Sequence, residues 1–220
     1  EIGIYAVADG MGGHSGGKIA SVLACRVVSD HLSDVLRKQG SDLDRVRYLA
    51  EIKRSMLAAN SAIRSRNGAK QGLDAMGTTL SVVLVAEDVA YYGNVGDTRI
   101  YLVDRRNEDI IQLSEDHTLE WDYLKTGAPP QLAKRHRHTL TQCLGTNATI
   151  TPNVGMARIH EGISILICSD GLYNYLSDRE LHECLSPSEE KDPLLLEHLL
   201  AIAIERGGED NITAVLVDFG

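Results

Sequence analysis

The sequence predicts an α+β fold of antiparallel sheets covered by helices, and three observations carry that prediction. Two long early segments repeat apolar residues at helical spacing. The middle of the chain changes to short β-rich runs, joined by links too brief for the dozen or so residues that a parallel crossover needs. A second helical stretch then precedes one last strand.

The elements follow in order. Residues 2–8 read as a buried strand, 10–17 as a flexible loop, and 18–38 as a helix in which Ile19, Leu23 and Val27, then Val28, Leu32 and Leu36, recur every four residues. Gly40-Ser41-Asp42 breaks this helix, and a second runs to about Arg66 with Val46, Leu49, Ile52, Met56 and Ile63 on one side. Residues 78–85, 89–95, 99–103 and 110–113 form a meander of short strands. Residues 115–139 are the least regular stretch and hold the basic run Lys134-Arg135-His136-Arg137-His138, read as a solvated face. Strands over 153–158 and 163–168, helices over 178–184 and 193–206, and a last strand over 212–217 complete the chain.

Bulk properties bound the function. The 220 residues give room for one sizeable core, and 43% hydrophobic with 24% charged residues is ordinary for a globular domain. A net charge of −9 argues against a nucleic-acid partner, which would call for a basic face. Cys25, Cys143, Cys168 and Cys184 show no paired spacing and read as reduced thiols of a cytoplasmic protein. No apolar stretch approaches the roughly 20 residues that span a bilayer, so no membrane partner is expected.

Three acids stand beside apolar runs: Asp9 after residues 4–8, Asp170 after 163–169, and Asp210 before 212–217. Carboxylates on rigid buried strands can converge on a hard cation such as Mg²⁺ or Mn²⁺. Gly10 and Gly171 follow two of them, and a missing side chain lets a backbone carbonyl approach a metal. An Asp before Gly or Asn is ordinarily a turn residue, which suits any one of the three.

The words around these acids decide between the two readings. Asp9-Gly10-Met11-Gly12-Gly13-His14, Gly77-Thr78-Thr79-Leu80, Gly93-Asn94-Val95-Gly96-Asp97-Thr98-Arg99, Leu113-Ser114-Glu115-Asp116-His117-Thr118, Leu140-Thr141-Gln142-Cys143-Leu144-Gly145, Cys168-Ser169-Asp170-Gly171-Leu172 and Gly207-Gly208-Glu209-Asp210-Asn211-Ile212-Thr213 occur in that order. Together they resemble the metal-dependent Ser/Thr protein phosphatases of the PP2C type, in their bacterial form. The family normally begins with a further strand that carries a phosphate-binding Arg. Without it the chain, opening on Glu1, is expected to be an N-terminally incomplete form of one phosphatase domain over 1–220.

The resemblance implies a four-layer α-β-β-α sandwich of two antiparallel sheets flanked by helix pairs. It implies that Asp9 bridges two Mn²⁺ or Mg²⁺ ions, that the Gly10 carbonyl helps hold the second, and that Asp170 and Asp210 complete the shell of the first. Asp116 corresponds to the ligand of a third, weaker metal; its plainer reading is an acid at a helix N-terminus. His14, five residues after Asp9, is near enough to the motif to protonate the leaving Ser or Thr oxygen; its plainer reading is a solvated loop histidine. Residues 115–139 correspond to a flap beside the site. Asp97 and Arg99 read as hairpin-turn residues and Thr78 and Thr79 as supports behind the site.

Two metals about 4 Å apart lower the pKa of a shared water and clamp phosphoryl oxygens, so the implied reaction is direct in-line hydrolysis of phosphoserine and phosphothreonine. The implied partners are phosphorylated proteins, a Ser/Thr protein kinase among them, met by a monomer. Two other readings compete. One is a non-catalytic relative that binds phosphoproteins or a kinase. The other is a P-loop nucleotide hydrolase, because residues 12–18 read G-x-x-x-x-G-K, although Ile19 stands where a Ser or Thr should meet Mg²⁺.

Overall fold

The structure, a computed structural model, describes residues 2–40, 43–70, 74–185 and 194–220, with the side chains of residues 13–15 also outside the description. The expected helix breaker at Ser41-Asp42 and the helix start at Pro193 therefore lie outside the described residues. In chain order the elements are β1 (Ile2–Val7), β2 (Gly10–Met11), α1 (Gly13–Gln39), α2 (Arg45–Asn67), β3 (Gly77–Thr78), β4 (Leu80–Ala86), β5 (Val89–Val95), β6 (Arg99–Asp104) and β7 (Asp109–Gln112). There follow α3 (Leu119–Lys125), α4 (Pro130–Ala133), a 3-10 turn (Lys134–His136), β8 (Asn153–Arg158), β9 (Ile163–Cys168), α5 (Asp170–Tyr173), α6 (Asp178–Leu185), α7 (Leu195–Glu205) and β10 (Ala214–Asp218).

Two four-stranded sheets, ordered β1-β4-β5-β8 and β10-β9-β6-β7, are antiparallel throughout, and β2 and β3 form a small ribbon. Three apolar clusters define the layers. Leu80, Val82 and Leu84 of β4 pack with Ala24, Val28, Ile52 and Met56 of α1 and α2. The alternate residues Val83 and Val85 meet Ile163, Ile165 and Ile167 of β9 between the sheets. Leu166 and Cys168 face the other way, toward Leu172, Leu181 and Leu199 of the closing helices. Period-two alternation along β4 and β9 thus serves two interfaces per strand, which is why both read as continuous apolar runs. The antiparallel order also removes the parallel sheet that a P-loop hydrolase needs.

Several local expectations are corrected. The middle strands are not one meander: β4–β5 and β6–β7 are hairpin pairs, but residues 96–98 carry the chain from one sheet to the other. Residues 10–17 are not a loop, since Gly10 and Met11 pair with β3 and α1 begins at Gly13. The buried stripe of α1 is Ala20, Ala24, Val28 and Leu32, while Ile19 is exposed; on α2 Val46 is exposed and Tyr48 and Ala59 are buried. Small residues lie inward there because the two helices and the sheet approach closely. The basic run, expected to be irregular, lies in and just after the 3-10 turn.

Candidate metal centre

Asp9 follows β1 and is fixed through its backbone. Its carbonyl accepts hydrogen bonds from the Thr78 hydroxyl and the Thr79 amide, both at 2.8 Å, and its amide donates to Thr79 Oγ1 at 3.0 Å. Thr79 Oγ1 also pairs with Thr98 Oγ1. The two threonines therefore hold the strand end that presents the carboxyl group, as supports behind it.

The glycines around Asp9 have a packing cause. A Cβ on Gly10 would stand 2.2 Å from the Gly17 carbonyl oxygen, and one on Gly17 would stand 2.6 Å from the Gly10 carbonyl carbon. The first turns of α1 cross directly over β2, and only hydrogen fits between them. That crossing accounts for Gly17 of the P-loop-like spacing without a nucleotide, and Gly12 adopts φ 102, where a Cβ would stand 2.7 Å from the Ala75 carbonyl oxygen.

Asp170 opens α5 directly after β9, and Asp210 lies in the exposed loop before β10. The two are tied at their bases: the Ser169 amide donates to the Thr213 carbonyl at 3.0 Å, and the Thr213 amide donates to Ser169 Oγ at 3.1 Å. A Cβ on Gly171 would meet the Asn211 carbonyl oxygen at 2.5 Å, so this approach also excludes a side chain. Asn174 Nδ2 donates to Asp170 Oδ2 at 3.2 Å.

Asp9 borders a cleft of about 590 Å³ lined also by Gly10, Lys18, Asn211 and Thr213, and Asp170 and Asp210 border a neighbouring cavity of about 470 Å³ with Arg137 and His138. Burial, then Asp170 and Asp210, push the Asp9 carboxyl up to about 6. Burial, with Asp210, also raises Asp170. Such mutual repulsion is what a bound cation relieves.

Asp97, expected to be a hairpin-turn residue, is repelled by the same acids. It lies in the sheet-to-sheet link, where burial, then Asp170 and Asp116, raise its carboxyl to about 7. The link is strongly specified. Gly96 adopts φ 101, and a Cβ there would stand 2.6 Å from Thr79 Cγ2. The Gly96 amide donates to His117 Nδ1 at 3.1 Å, the His117 amide returns a bond to the Gly96 carbonyl at 2.9 Å, and buried Asn94 Nδ2 donates to the same carbonyl at 3.1 Å. The signal available in the sequence was the three-residue length of this link, too short to leave Asp97 far from either sheet's end.

Asp116 is placed differently from its expectation as a metal ligand. It is buried and grips Arg99, with Arg99 Nε and Nη2 donating to Oδ2 at 3.0 and 2.8 Å, and Gln112 Nε2 donating to Oδ1 at 2.8 Å. Its oxygens are occupied by these donors. The capping role is not its own either, since Thr118 accepts the Trp121 amide at the start of α3. His14 falls in the first turn of α1, and its side chain lies outside the described residues.

The donor set fits hard cations: carboxylates and a backbone carbonyl, with no thiolate or imidazole required. Among the described residues no three His, Cys, Asp or Glu side chains are gathered tightly enough to hold one ion between them. The acids border two neighbouring cavities instead of meeting at a point, and a Mg²⁺-type ion, which keeps several waters, would need only one or two carboxylates from them.

Residues 2–199 match the family profile of protein phosphatase 2C. This chain belongs to the protein phosphatase 2C family. Among its relatives, the serine/threonine phosphatase stp of Listeria monocytogenes serotype 4b (strain F2365) is 32% identical over 222 residues, covering 98% of this chain and 84% of the relative. The crystal structure of the Mycobacterium tuberculosis serine/threonine phosphatase PstP/Ppp superposes with a TM-score of 0.82 at 31% identity, covering 99% of this chain and 91% of that one. A catalytic domain of the serine threonine protein phosphatase PstP, solved in complex with two manganese ions, gives a TM-score of 0.79 at 30% identity over 99% and 90% of the two chains. The protein phosphatase 2C assignment and the four observed layers agree with the expected α-β-β-α architecture.

Proposed function

We propose that this chain hydrolyses phosphoserine and phosphothreonine in proteins, using Mn²⁺ or Mg²⁺ held by Asp9, the Gly10 carbonyl, Asp170 and Asp210. The observation that carries the reading is the mutual repulsion of acids drawn from the ends of both sheets, Asp9 at one cavity and Asp170 with Asp210 at its neighbour, in a protein phosphatase 2C chain. Asp97 is the preferred candidate for a further, weaker cation, because its buried carboxyl is repelled by Asp170, then Asp116 and Asp9, and has no ion-pair partner among the described residues, whereas Asp116 is paired with Arg99.

When bound, a pair of such cations supplies Lewis-acid chemistry, easing deprotonation of water and neutralising phosphoryl oxygens. The chain's own contribution is placement. Thr78 and Thr79 fix the Asp9 backbone, Ser169 ties the Asp170 and Asp210 segments, and Asn174 orients the Asp170 carboxylate. His14, five residues after Asp9 at the start of α1, is the proposed proton donor to the leaving oxygen. Residues 115–139 act as the flap bordering the cleft.

The partners are phosphorylated proteins, including a Ser/Thr protein kinase, engaged by a monomer. Four cysteines without a disulfide among them support a reducing, cytoplasmic setting; among the described residues no helix is long and apolar enough to cross a membrane. The test is phosphate release from a phosphothreonine peptide with Mn²⁺ and with EDTA, beside Asp170→Asn. Release that needs both Mn²⁺ and Asp170 supports the reading, and Mn²⁺-independent release or an active Asp170→Asn protein defeats it.

A further inference from the structure

The basic run of residues 134–138 was read from sequence as a solvated face, and the fold divides it. Arg137 and His138 border the cavity of Asp170 and Asp210. Together with Lys134 they also border an adjoining cavity of about 170 Å³, walled by Arg99, Asp116, Glu120 and Tyr173. Arg135 borders neither. The flap thus sets two cations at a second cavity that opens beside the acids and shares Arg137, His138 and Asn174 with their own.

The charges of this second cavity do not cancel. Arg99 is neutralised by Asp116. Arg137 Nε donates to His138 Nε2 at 2.7 Å, which leaves the two Nη groups of Arg137 for other partners and turns His138 Nδ1 toward Asp170 Oδ2 at 3.8 Å. The ion pairs among the described residues include neither Lys134 nor Arg137, although Lys125 close by is paired with Glu115. Glu120 is the one acid of the cavity left to oppose the two cations. A locally positive pocket is unusual on a chain of net charge −9, and it suits a carboxylate carried close to the phosphorylated residue.

We infer that Lys134 and Arg137 form a subsite for an acidic residue, Asp or Glu, flanking the phosphorylated Ser or Thr, so that the substrate class is acidic phosphopeptides. This rests on the phosphatase reading above and adds to it the identity of the flanking residue.

The test compares two phosphothreonine peptides that differ only in having Glu or Ala on both sides of the phosphorylated residue. Kcat/KM is measured with Mn²⁺, and peptide binding is followed by fluorescence anisotropy. Exposed ion pairs are worth enough for about a 3- to 10-fold preference for the Glu peptide, shrinking at high salt. Lys134→Ser with Arg137→Ser should erase the preference, Arg135→Ser should keep it, and Glu120→Gln should increase it. Equal use of both peptides by the unaltered protein overturns the inference. So does a preference that survives the double substitution, or equal loss on both peptides, which would assign Arg137 to the transferred phosphate instead. If neither peptide is hydrolysed, the phosphatase reading fails, and the anisotropy ratio between the Glu and Ala peptides still decides the subsite.

Discussion

Arg99 and Asp116 form a two-point salt bridge beneath the acid cleft, with 21% and 6% of their side-chain surfaces exposed. The guanidinium also lies 3.7 Å over the Tyr173 ring and donates to Tyr101 Oη at 2.9 Å, while Tyr173 Oη donates to the Asp97 carbonyl at 2.9 Å. The pair therefore braces the link that carries Asp97 and the helix that begins with Asp170.

Asp116→Ala should act first on stability, because it strands a buried guanidinium. A loss of about 3 kcal/mol is expected, lowering Tm by about 6–12 °C for a domain of this size. Replacing both partners, Arg99→Met with Asp116→Leu, should recover part of that loss. Asp97→Asn should instead weaken the response of turnover to Mn²⁺ without lowering Tm. Calorimetry beside Mn²⁺ titrations separates the two; an Asp116→Ala protein of unchanged Tm but altered Mn²⁺ response would return the metal role to Asp116.

The metal-free protein should lose stability as pH rises. Asp9 and Asp97 have folded values of about 6 and about 7 against an ordinary 3.8, so the folded state holds their protons more tightly than the unfolded chain. Their favourable contribution is complete below pH 3.8 and is lost as pH climbs through about 6 and about 7. Urea unfolding in EDTA at pH steps across that window should show a falling midpoint, and excess Mn²⁺ should flatten it. A midpoint indifferent to Mn²⁺ would sink this account.

Gly17→Ala places a methyl group 2.6 Å from the Gly10 carbonyl carbon and forces α1 away from β2. The expected cost is about 1–3 kcal/mol, as for other overpacked sites, together with reduced Mn²⁺ affinity because Asp9 moves with Gly10. Gly40→Ala is the comparison: nothing lies within 4 Å of its added Cβ, so only its own backbone strain at φ 73 should register, without an effect on Mn²⁺.

Thr78→Val keeps the β-branched shape but removes the hydroxyl that donates to the Asp9 carbonyl. Supports of this kind are worth about 10- to 100-fold in metal affinity or activity. Isothermal titration with Mn²⁺ should show the loss with little change in far-UV circular dichroism; an unaltered binding isotherm would mean that the backbone bond from Thr79 suffices.

The sequence made legible whatever depends on local pattern. Strands β5, β8 and β9 and the sites of Asp9, Asp170 and Asp210 follow from apolar runs bounded by turn chemistry. Illegible features depend on which distant segments meet. Ile19 and Val46 fit a helical stripe yet face solvent, because close packing against the sheet selected Ala20 and Ala24. The burial of Asp97 among other acids and the pairing of Asp116 with Arg99 were illegible because they depend on a three-residue link that changes sheets. Arg137 and Arg135 are neighbours in sequence, and only the turn at residues 134–136 decides which reaches the cleft.

The order in which the two sheets are completed has a bearing on synthesis. Asp9 enters with the first described strand, whereas Asp210 is set in place only when β10 docks on β9. A nascent chain therefore emerges with the Asp9 and Asp210 segments apart, and on the proposed metal reading cation capture has to wait for the last edge of the second sheet. Phosphatase output is thereby coupled to completion: a ribosome-bound or C-terminally clipped chain should be silent toward its targets, however well its helices and first sheet have formed.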